Sequence, residues 1–215
     1  MIELFISSFI TFFVVIDPPG CAPIFAGLTA GTNAAHRRAM AVRAVLVAAL
    51  ILFGFALFGE ALLGALGISL NAFKIAGGIM LFLIALEMVF EKRTERREDR
   101  AEKVKASSEA PDISVFPMAM PMIAGPGSIA SVMLLMSENS GIETAAVVLG
   151  AMFAILVITL LALLAAGPLM RLVGAKIEAV ISRLLGVLLG ALATQFVIDG
   201  IRASLVSGAA LSGGH

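Results

Sequence analysis

The chain has 215 residues, of which 60% are hydrophobic and 14% are charged, and its 15 basic and 15 acidic side chains give a formal net charge of zero. Soluble domains carry about 25% charged residues, so this composition excludes a soluble globular protein and indicates an integral membrane protein. The lone cysteine, Cys21, excludes an internal disulfide and a cysteine-based metal site. The two histidines, His36 in a loop and His215 at the terminus, exclude a zincin or a histidine-dependent hydrolase. We therefore expect no metal and no cofactor.

Six apolar segments are close to the length of helix that crosses about 30 Å of hydrocarbon. The predicted spans are residues 2–31, 39–63, 69–90, 112–137, 144–168 and 177–201. The first and fourth contain proline and glycine near their centres, whereas the other four are ordinary apolar helices. The chain begins Met1-Ile2-Glu3, without a basic n-region, so we expect the first span to remain in the mature protein. These patterns predict an all-α protein with six transmembrane helices.

The first span is interrupted by the stretch VVIDPPGCAP, residues 14–23. Asp17 precedes a proline, which disfavours its α-helical conformation, and Gly20 allows the chain to turn without steric cost. Unwound backbone has polar groups that lipid cannot satisfy, so it must be buried in protein or line a wet cavity. We therefore expect a helix break at the first motif, with a second helix starting after it.

Lysine and arginine are unevenly distributed between the two sets of connections that six spans define. Residues 91–112 contain 14 of the 30 charged side chains, and their set of connections holds 13 basic residues against only Lys74 and Arg202 in the other. Because basic residues concentrate in cytoplasmic loops, we expect 91–112 to be cytoplasmic and both termini to be extracytoplasmic. The seven acidic residues of this loop favour a solvated helical extension over a lipid- or nucleic-acid-binding arm.

The fourth span contains a similar stretch, PMIAGPGSIA, residues 121–130, which aligns with the first motif at an offset of 107. Farther along, GGIMLFLIALEM (77–88) aligns with LGVLLGALATQF (185–196) at an offset of 108. Since each repeat would contain three spans, the second copy must have the opposite orientation, which is an inverted-topology repeat. The predicted parts are a first three-helix repeat (1–90), a charged cytoplasmic loop (91–111), a second three-helix repeat (112–203) and an extracytoplasmic tail (204–215).

Two helix N-termini would meet near the centre of such a repeat. Each is expected to present free N–H groups and about half a positive charge, which suits a carboxylate, and Ser128 is placed to cap the second. Asp17 supplies a negative charge that can accept an ammonium group or exchange a coupling proton. Together these groups suit a zwitterion such as a small amino acid. A purely structural origin of the two breaks is the alternative.

The candidate substrate-binding residues form two short runs, one at each break. They are Asp17, Pro18, Pro19, Gly20 and Cys21 at the first break, and Ala124, Gly125, Pro126, Gly127 and Ser128 at the second. Acidic residues inside membrane spans are functional candidates, so the coupling candidates are Asp17, Glu87 and Asp199. For Cys21 the favoured alternative is a small packing residue.

Four stretches of the chain resemble the MarC family of bacterial inner-membrane proteins, which includes neutral amino acid transporters. They are FFVVIDPPGCAPIFAGLT (12–29), FKIAGGIMLFLIALEM (73–88), FPMAMPMIAGPGSIASVMLL (116–135) and RLLGVLLGALATQFVIDGI (183–201). The resemblance implies a six-helix transporter of small neutral amino acids such as glycine, alanine or serine, coupled to protons. It also implies that Asp17–Cys21 and Ala124–Ser128 form the site.

Other classes of function stay open at this point. A channel or an exporter for another small solute fits the same spans, and a membrane-embedded enzyme is a weaker alternative because Asp17 and Asp199 lack the sequence context of an aspartyl pair. The expected partners are a small neutral amino acid, a coupling proton or sodium ion, and membrane lipid, but no nucleic acid. The sequence does not determine the oligomeric state, and a homo-oligomer is one alternative.

Overall fold

The computed structural model describes the backbone of residues 1–106, 112–139 and 141–212, with side chains except at 94, 100, 101, 103–106, 169–178 and 206–212. Parts of the predicted loop (107–111) and tail (213–215) lie outside the described residues. The described chain is helical throughout, without a β-strand. Its helices are α1 (Ile2–Ile16), α2 (Pro18–Leu28), α3 (Ala34–Ala65), α4 (Leu70–Val89), α5 (Lys92–Ala106), α6 (Pro126–Glu138), α7 (Ile142–Leu164) and α8 (Ala166–Ser212). An irregular wide-turned segment, Ser114–Ile123, precedes α6 and is called the π segment.

Five helical stretches of the described chain are long and apolar enough to cross a membrane. They are Ile2–Leu28, Ala34–Ala65, Leu70–Val89, Ile142–Leu164 and Ala179–Leu205. The π segment and α6 make a sixth when they are counted as one span, with a bend of 52° between them. The predicted all-α membrane protein is therefore confirmed, with five or six membrane-spanning helices.

The backbone leaves helical geometry at Asp17, which adopts a left-handed conformation with φ of 59° and ψ of 66°. An aspartate tolerates this conformation because its short side chain can form local hydrogen bonds. Here the carboxylate Oδ1 accepts from the backbone N–H of Gly20 at 3.1 Å and so caps α2. Pro18 and Pro19 occupy the first turn of α2, where a missing N–H is harmless.

The π segment differs from the regular helix expected for the first half of the fourth span. Phe116 and Met120 adopt extended conformations within it, with φ and ψ near −126° and 127°, and −129° and 125°. Each precedes a proline, Pro117 or Pro121, whose ring disfavours the α-helical conformation of the residue before it. The sequence pattern predicted a break only at Gly125–Gly127, and the extended residues before these two prolines were not expected.

Small residues allow α4 and α8 to pack closely. A Cβ at Gly78 would lie 2.8 Å from the carbonyl oxygen of Ala193, and one at Gly186 would lie 3.1 Å from the carbonyl oxygen of Ala85. The Cβ at Gly186 would also lie 2.8 Å from the Cβ of Met88, so at both crossings glycine allows an approach that a side chain would obstruct. Because the residue number rises along α4 as it falls along α8, the two helices are antiparallel.

Ion pairs connect the charged regions in two separate groups. Arg43, in the third turn of α3, pairs with Asp112, and Arg183 of α8 pairs with Glu91 at 2.6 Å. At the other end of the bundle, Lys74 pairs with Glu138 at 3.0 Å. The first group joins connections that are predicted to lie on one side of the membrane.

The α5 helix folds back toward the bundle instead of extending away from it. Glu91, between α4 and α5, adopts a left-handed conformation with φ of 60° and reverses the chain. The helix then packs against α2, α4 and the π segment, and the side chain of Arg97 is buried. The interpretation of this region as a solvated extension is therefore wrong for the face of α5 that carries Arg97.

Candidate functional site

A cavity of about 300 Å³ lies where α4, α5 and the second helix break meet. One wall comes from Gly125, Pro126, Gly127 and Ser128 at the start of α6. The opposite walls carry four charged side chains, which are Glu87 of α4 and Arg93, Arg96 and Arg97 of α5. Apolar side chains of α1, α4 and the π segment form the rest of the lining, so charged groups and backbone share one small, partly open cavity.

The N-terminus of α6 faces this cavity with backbone donors available. Gly125 occupies the N-cap position and contributes no side-chain hydrogen bond, and Pro126 has no N–H. Within the described part of the chain, no acceptor bonds the N–H groups of Gly127 and Ser128. The Ser128 hydroxyl instead donates to the carbonyl of Ile123 at 2.8 Å, so the expectation that Ser128 caps α6 is wrong.

The three arginines of α5 that line the cavity have different partners. Arg96 pairs with Glu87, and Arg97 Nη1 donates to Asp17 Oδ2 at 2.9 Å. Arg93 donates to the carbonyl of Val15 at 2.6 Å and to the sulfur of Met88 at 3.0 Å. Among the described side chains, no carboxylate pairs with Arg93. Loss of surrounding water, followed by the nearby charge of Arg97, lowers the pKa of Arg93 to about 10, which leaves it charged at neutral pH.

Asp17 lies behind Arg97 rather than in the cavity wall. It is 3% exposed, and each of its carboxylate oxygens already has a partner, Gly20 N–H or Arg97. With Pro18 and Pro19 lacking N–H groups, the start of α2 offers no free donor to a ligand. The expectation that both breaks present free N–H groups therefore fails at the first break, because Asp17 itself caps the helix.

Formal charges around the cavity do not cancel. Three guanidinium groups, of Arg93, Arg96 and Arg97, stand against two carboxylates, of Asp17 and Glu87, which leaves one positive charge. The partial positive charge at the start of α6 has the same sign. This arrangement favours a ligand with a carboxylate or another small anionic group.

Comparison with known proteins agrees with the helical, membrane-spanning architecture. The model of the MarC family integral membrane proteins matches residues 2–205. The chain belongs to the MarC family. It is 38% identical to a UPF0056 membrane protein of Methanocaldococcus jannaschii over 95% of this chain and 99% of the relative. It is also 35% identical to the UPF0056 membrane protein YvbG of Bacillus subtilis, over 94% and 96% of the two chains. No solved structure matches the chain.

In this MarC protein, the sites predicted at the two breaks have different environments. Gly125–Ser128 line the cavity, and Ala124 is buried beside them. The residues from Asp17 to Cys21 do not line it, and the Cys21 thiol lies 3.5 Å from the carbonyl of Ile16 in the protein interior. Gly127 also packs tightly, since a Cβ there would lie 2.5 Å from Ile84.

The coupling candidates are also separated in this MarC protein. Glu87 lines the cavity and pairs with Arg96. Asp199 accepts hydrogen bonds from Gln195 at 2.9 and 3.1 Å, one turn earlier on α8, and does not line this cavity. The structure therefore places Glu87 with the predicted second break and leaves Asp199 apart from it.

The arginines of α5 were not among the predicted site residues of this MarC family member. They belong to the charged run 91–112, whose composition resembles a solvated surface. A signal was present, because Arg93 and Arg97 are four residues apart and lie on one helix face. Their burial depends on the chain reversal at Glu91, and a left-handed glutamate has no clear sequence signature.

Proposed function

We propose that this protein is a secondary transporter of small neutral amino acids, such as glycine, alanine or serine, with its substrate site in the cavity at the second helix break. The observation that carries the proposal is the cavity itself, which combines free backbone donors, an excess positive charge and nearby carboxylates. Its volume of about 300 Å³ is at the lower end of the range for small-molecule sites, about 300–1,000 Å³. A compact zwitterion suits this volume and this distribution of charge.

The carboxylate end of the substrate is assigned to the start of α6. The N–H groups of Gly127 and Ser128 are free to donate, and a helix N-terminus attracts anions. Arg93 borders the same cavity and has only neutral acceptors among the described residues. A substrate carboxylate would replace these weak partners with a charge-assisted hydrogen bond.

The ammonium end is assigned to Asp17, which is the acidic group at the first break. Arg97 borders the cavity and bonds Asp17, so movement of Arg97 would connect the carboxylate with the cavity. The same carboxylate is the leading candidate for the coupling proton, with sodium as the alternative ion. Glu87 is the second candidate, since it lies on the cavity wall.

Alternating access in this proposal uses two inverted repeats. Several paired contacts support the repeat: Cys21 donates to Ile16, and Ser128 donates to Ile123, at the equivalent positions of the two breaks. The contact of Gly78 with Ala193 also has a counterpart in the contact of Gly186 with Ala85. At the offset of 108, Gly78 corresponds to Gly186 and Ala85 corresponds to Ala193. A transporter can change its accessible side when two such repeats rock against each other.

A second cavity gives further support for the repeat. It has a volume of about 470 Å³, lies between α1 and α8, and is lined in part by Val14, Leu188 and Leu192. At the offsets of the two repeats, these positions correspond to Pro121, Met80 and Ile84, which line the first cavity. The proposed rocking motion would therefore act on two cavities that are lined by equivalent positions of the two repeats.

The proposed orientation has α5 on the cytoplasmic face of the plasma membrane and both termini outside. The concentration of lysine and arginine on the α5 side supports it. A reporter that is active only in the cytoplasm, fused after His215, is expected to give no signal. Strong activity of that fusion would contradict the orientation while leaving the substrate class untouched.

Transport itself is tested with purified protein in proteoliposomes. Counterflow of each of the twenty amino acids is measured with and without a pH gradient, beside empty liposomes. The expected result is saturable exchange of glycine, alanine or serine that responds to the gradient. Exchange of none of the twenty would refute the amino acid proposal, and ion flux without saturation would identify a channel instead.

A further inference from the structure

The Asp17–Arg97 ion pair joins the first helix break to a helix that precedes the second repeat. The two residues are 80 positions apart, and their side chains are 4% and 8% exposed. By contrast, the Arg43–Asp112 pair is at the surface, with exposures of 57% and 35%. The α5 helix thus inserts one guanidinium group into the protein interior at the break of the first span.

This position has an energetic consequence. Two buried charges together can be stable, but removal of one leaves the other buried without compensation. The pair is also no better for stability than well-packed apolar side chains of similar volume. A buried pair at this place is therefore poorly explained by stability alone, and its location beside the cavity indicates a functional role.

Arg97 separates Asp17 from the cavity. Its guanidinium bonds Asp17 and also lines the cavity, whereas Asp17 does not line it. Gly20 leaves the space that the pair needs, because a Cβ at this position would lie 2.2 Å from Asp17 Oδ2 and 3.0 Å from Arg97 Nη1. Arg97 therefore occupies the side of Asp17 that an incoming cation would approach.

The other polar contacts of α5 fix the helix more weakly to the rest of the protein. Arg96 and Glu87 form an ion pair with side-chain exposures of 52% and 26%, and such surface pairs contribute little. Arg93 bonds the carbonyl of Val15, at the end of α1. Among the described arginines of α5, Arg97 alone forms a buried ion pair, so this contact most strongly fixes α5 over the first break.

We propose that Arg97 is an internal ligand of Asp17, which keeps α5 closed over the cavity until the ammonium group of a substrate replaces it. This inference rests on the proposed function for the identity of the replacing group. The closure itself depends only on the geometry of α5, Asp17 and the cavity. The two parts can therefore be tested separately.

Closure is tested with the native thiol. Cys21 is the only cysteine and is fully buried, four residues after Asp17, so a small polar maleimide should label it slowly in the wild type. Arg97→Gln is expected to raise the labelling rate at least tenfold, because the released α5 opens the route to the first break. The matched control is Arg43→Gln, which breaks an exposed arginine–aspartate pair and should change the rate less than twofold.

Asp17→Asn provides a second variant that breaks the same pair from the other side. Asparagine is an equally good N-cap, so the start of α2 is preserved while the charge is lost. We expect Cys21 to be labelled faster in this variant than in the wild type. In the double variant of Asp17 and Arg97, the labelling rate should not exceed that of the faster single variant. If both single variants keep the wild-type labelling rate in monodisperse protein, α5 is not held closed by this pair and the proposal is refuted.

The ammonium part is tested in the Arg97→Gln variant, where Asp17 is left without its arginine. Glycine at saturating concentration should slow Cys21 labelling several-fold, whereas acetate, which lacks the ammonium group, should not. Equal protection by the two compounds would overturn the assignment of the ammonium to Asp17. Absence of amino acid counterflow together with accelerated labelling would refute the proposed substrate and retain the closure.

Discussion

Gly20→Ala perturbs the first helix break with a single added methyl group. The new Cβ would lie 2.2 Å from Oδ2 and 2.8 Å from Cγ of Asp17, and 3.0 Å from Nη1 of Arg97. Ordinary contacts begin at 3.4 Å, so the carboxylate must move by more than 1 Å. This movement pulls one oxygen from the Gly20 N–H and the other from Arg97.

The expected loss of stability follows from these two bonds. An N-cap contributes about 1 kcal/mol, and breaking a buried ion pair costs about 3–5 kcal/mol when one partner is removed. In this variant both charged groups remain, and the adjacent cavity lets them move. We therefore expect about half of the ion-pair cost. Because alanine has a higher helix propensity than glycine, it stabilises α2 by about 1 kcal/mol. The net destabilisation is about 1.5–2.5 kcal/mol, which corresponds to a decrease in Tm of roughly 3–10 °C for a chain of this size.

The assay uses the thiol of Cys21, because the chain has no tryptophan or tyrosine. A thiol-reactive dye follows thermal unfolding in detergent as this buried side chain becomes accessible. Gly150→Ala is the matched control, since a Cβ there contacts nothing within 4 Å, and it should be neutral or slightly stabilising. Equal melting of Gly20→Ala and wild type would refute the argument that Gly20 makes room for the ion pair.

Three further variants test other parts of the structure. Gly78→Ala should destabilise the protein by about 1–3 kcal/mol through overpacking at the Ala193 carbonyl. Gly190→Ala should not, because its new Cβ would lie 3.6 Å from the Cβ of Ala85, and equal melting temperatures of the two variants would contradict the predicted difference. Arg93→Gln should raise the KM for amino acid exchange about tenfold in the counterflow assay, as expected for a lost hydrogen bond to a charged group; an unchanged KM would contradict the role of Arg93 in binding the substrate carboxylate. Ser114, whose backbone N–H donates to Asp112 Oδ1 at 2.9 Å, holds the pKa of Asp112 below its usual value of 3.8. The stabilisation by this carboxylate therefore exists at neutral pH and is lost as the pH falls and the folded group becomes protonated. Asp112→Asn should melt slightly lower than wild type at pH 7 and equally in strong acid, measured by the same dye assay.

Local rules in the sequence were sufficient for the spans and for the position of the first break. The apolar segments had the length that the membrane requires, and Asp17 before two prolines left helical geometry as steric rules predict. The cap at Gly20 was also a local signal, because an aspartate three residues earlier commonly accepts from that N–H. The extended residues Phe116 and Met120 follow from the same proline rule.

The tertiary structure decided which of these local features share a cavity. Nothing local in the charged run distinguishes Arg97, which is buried against Asp17, from Arg96, which is half exposed beside Glu87. The two arginines are adjacent and chemically identical, but successive helix positions point about 100° apart, and the reversal at Glu91 directs one of them inward. The length and the breaks of a membrane helix are set by interactions with lipid and with its own backbone, whereas the partner of a buried charge is set by packing between distant segments. For this reason the sequence by itself determined the spans and the first break, and only the fold placed α5 over Asp17.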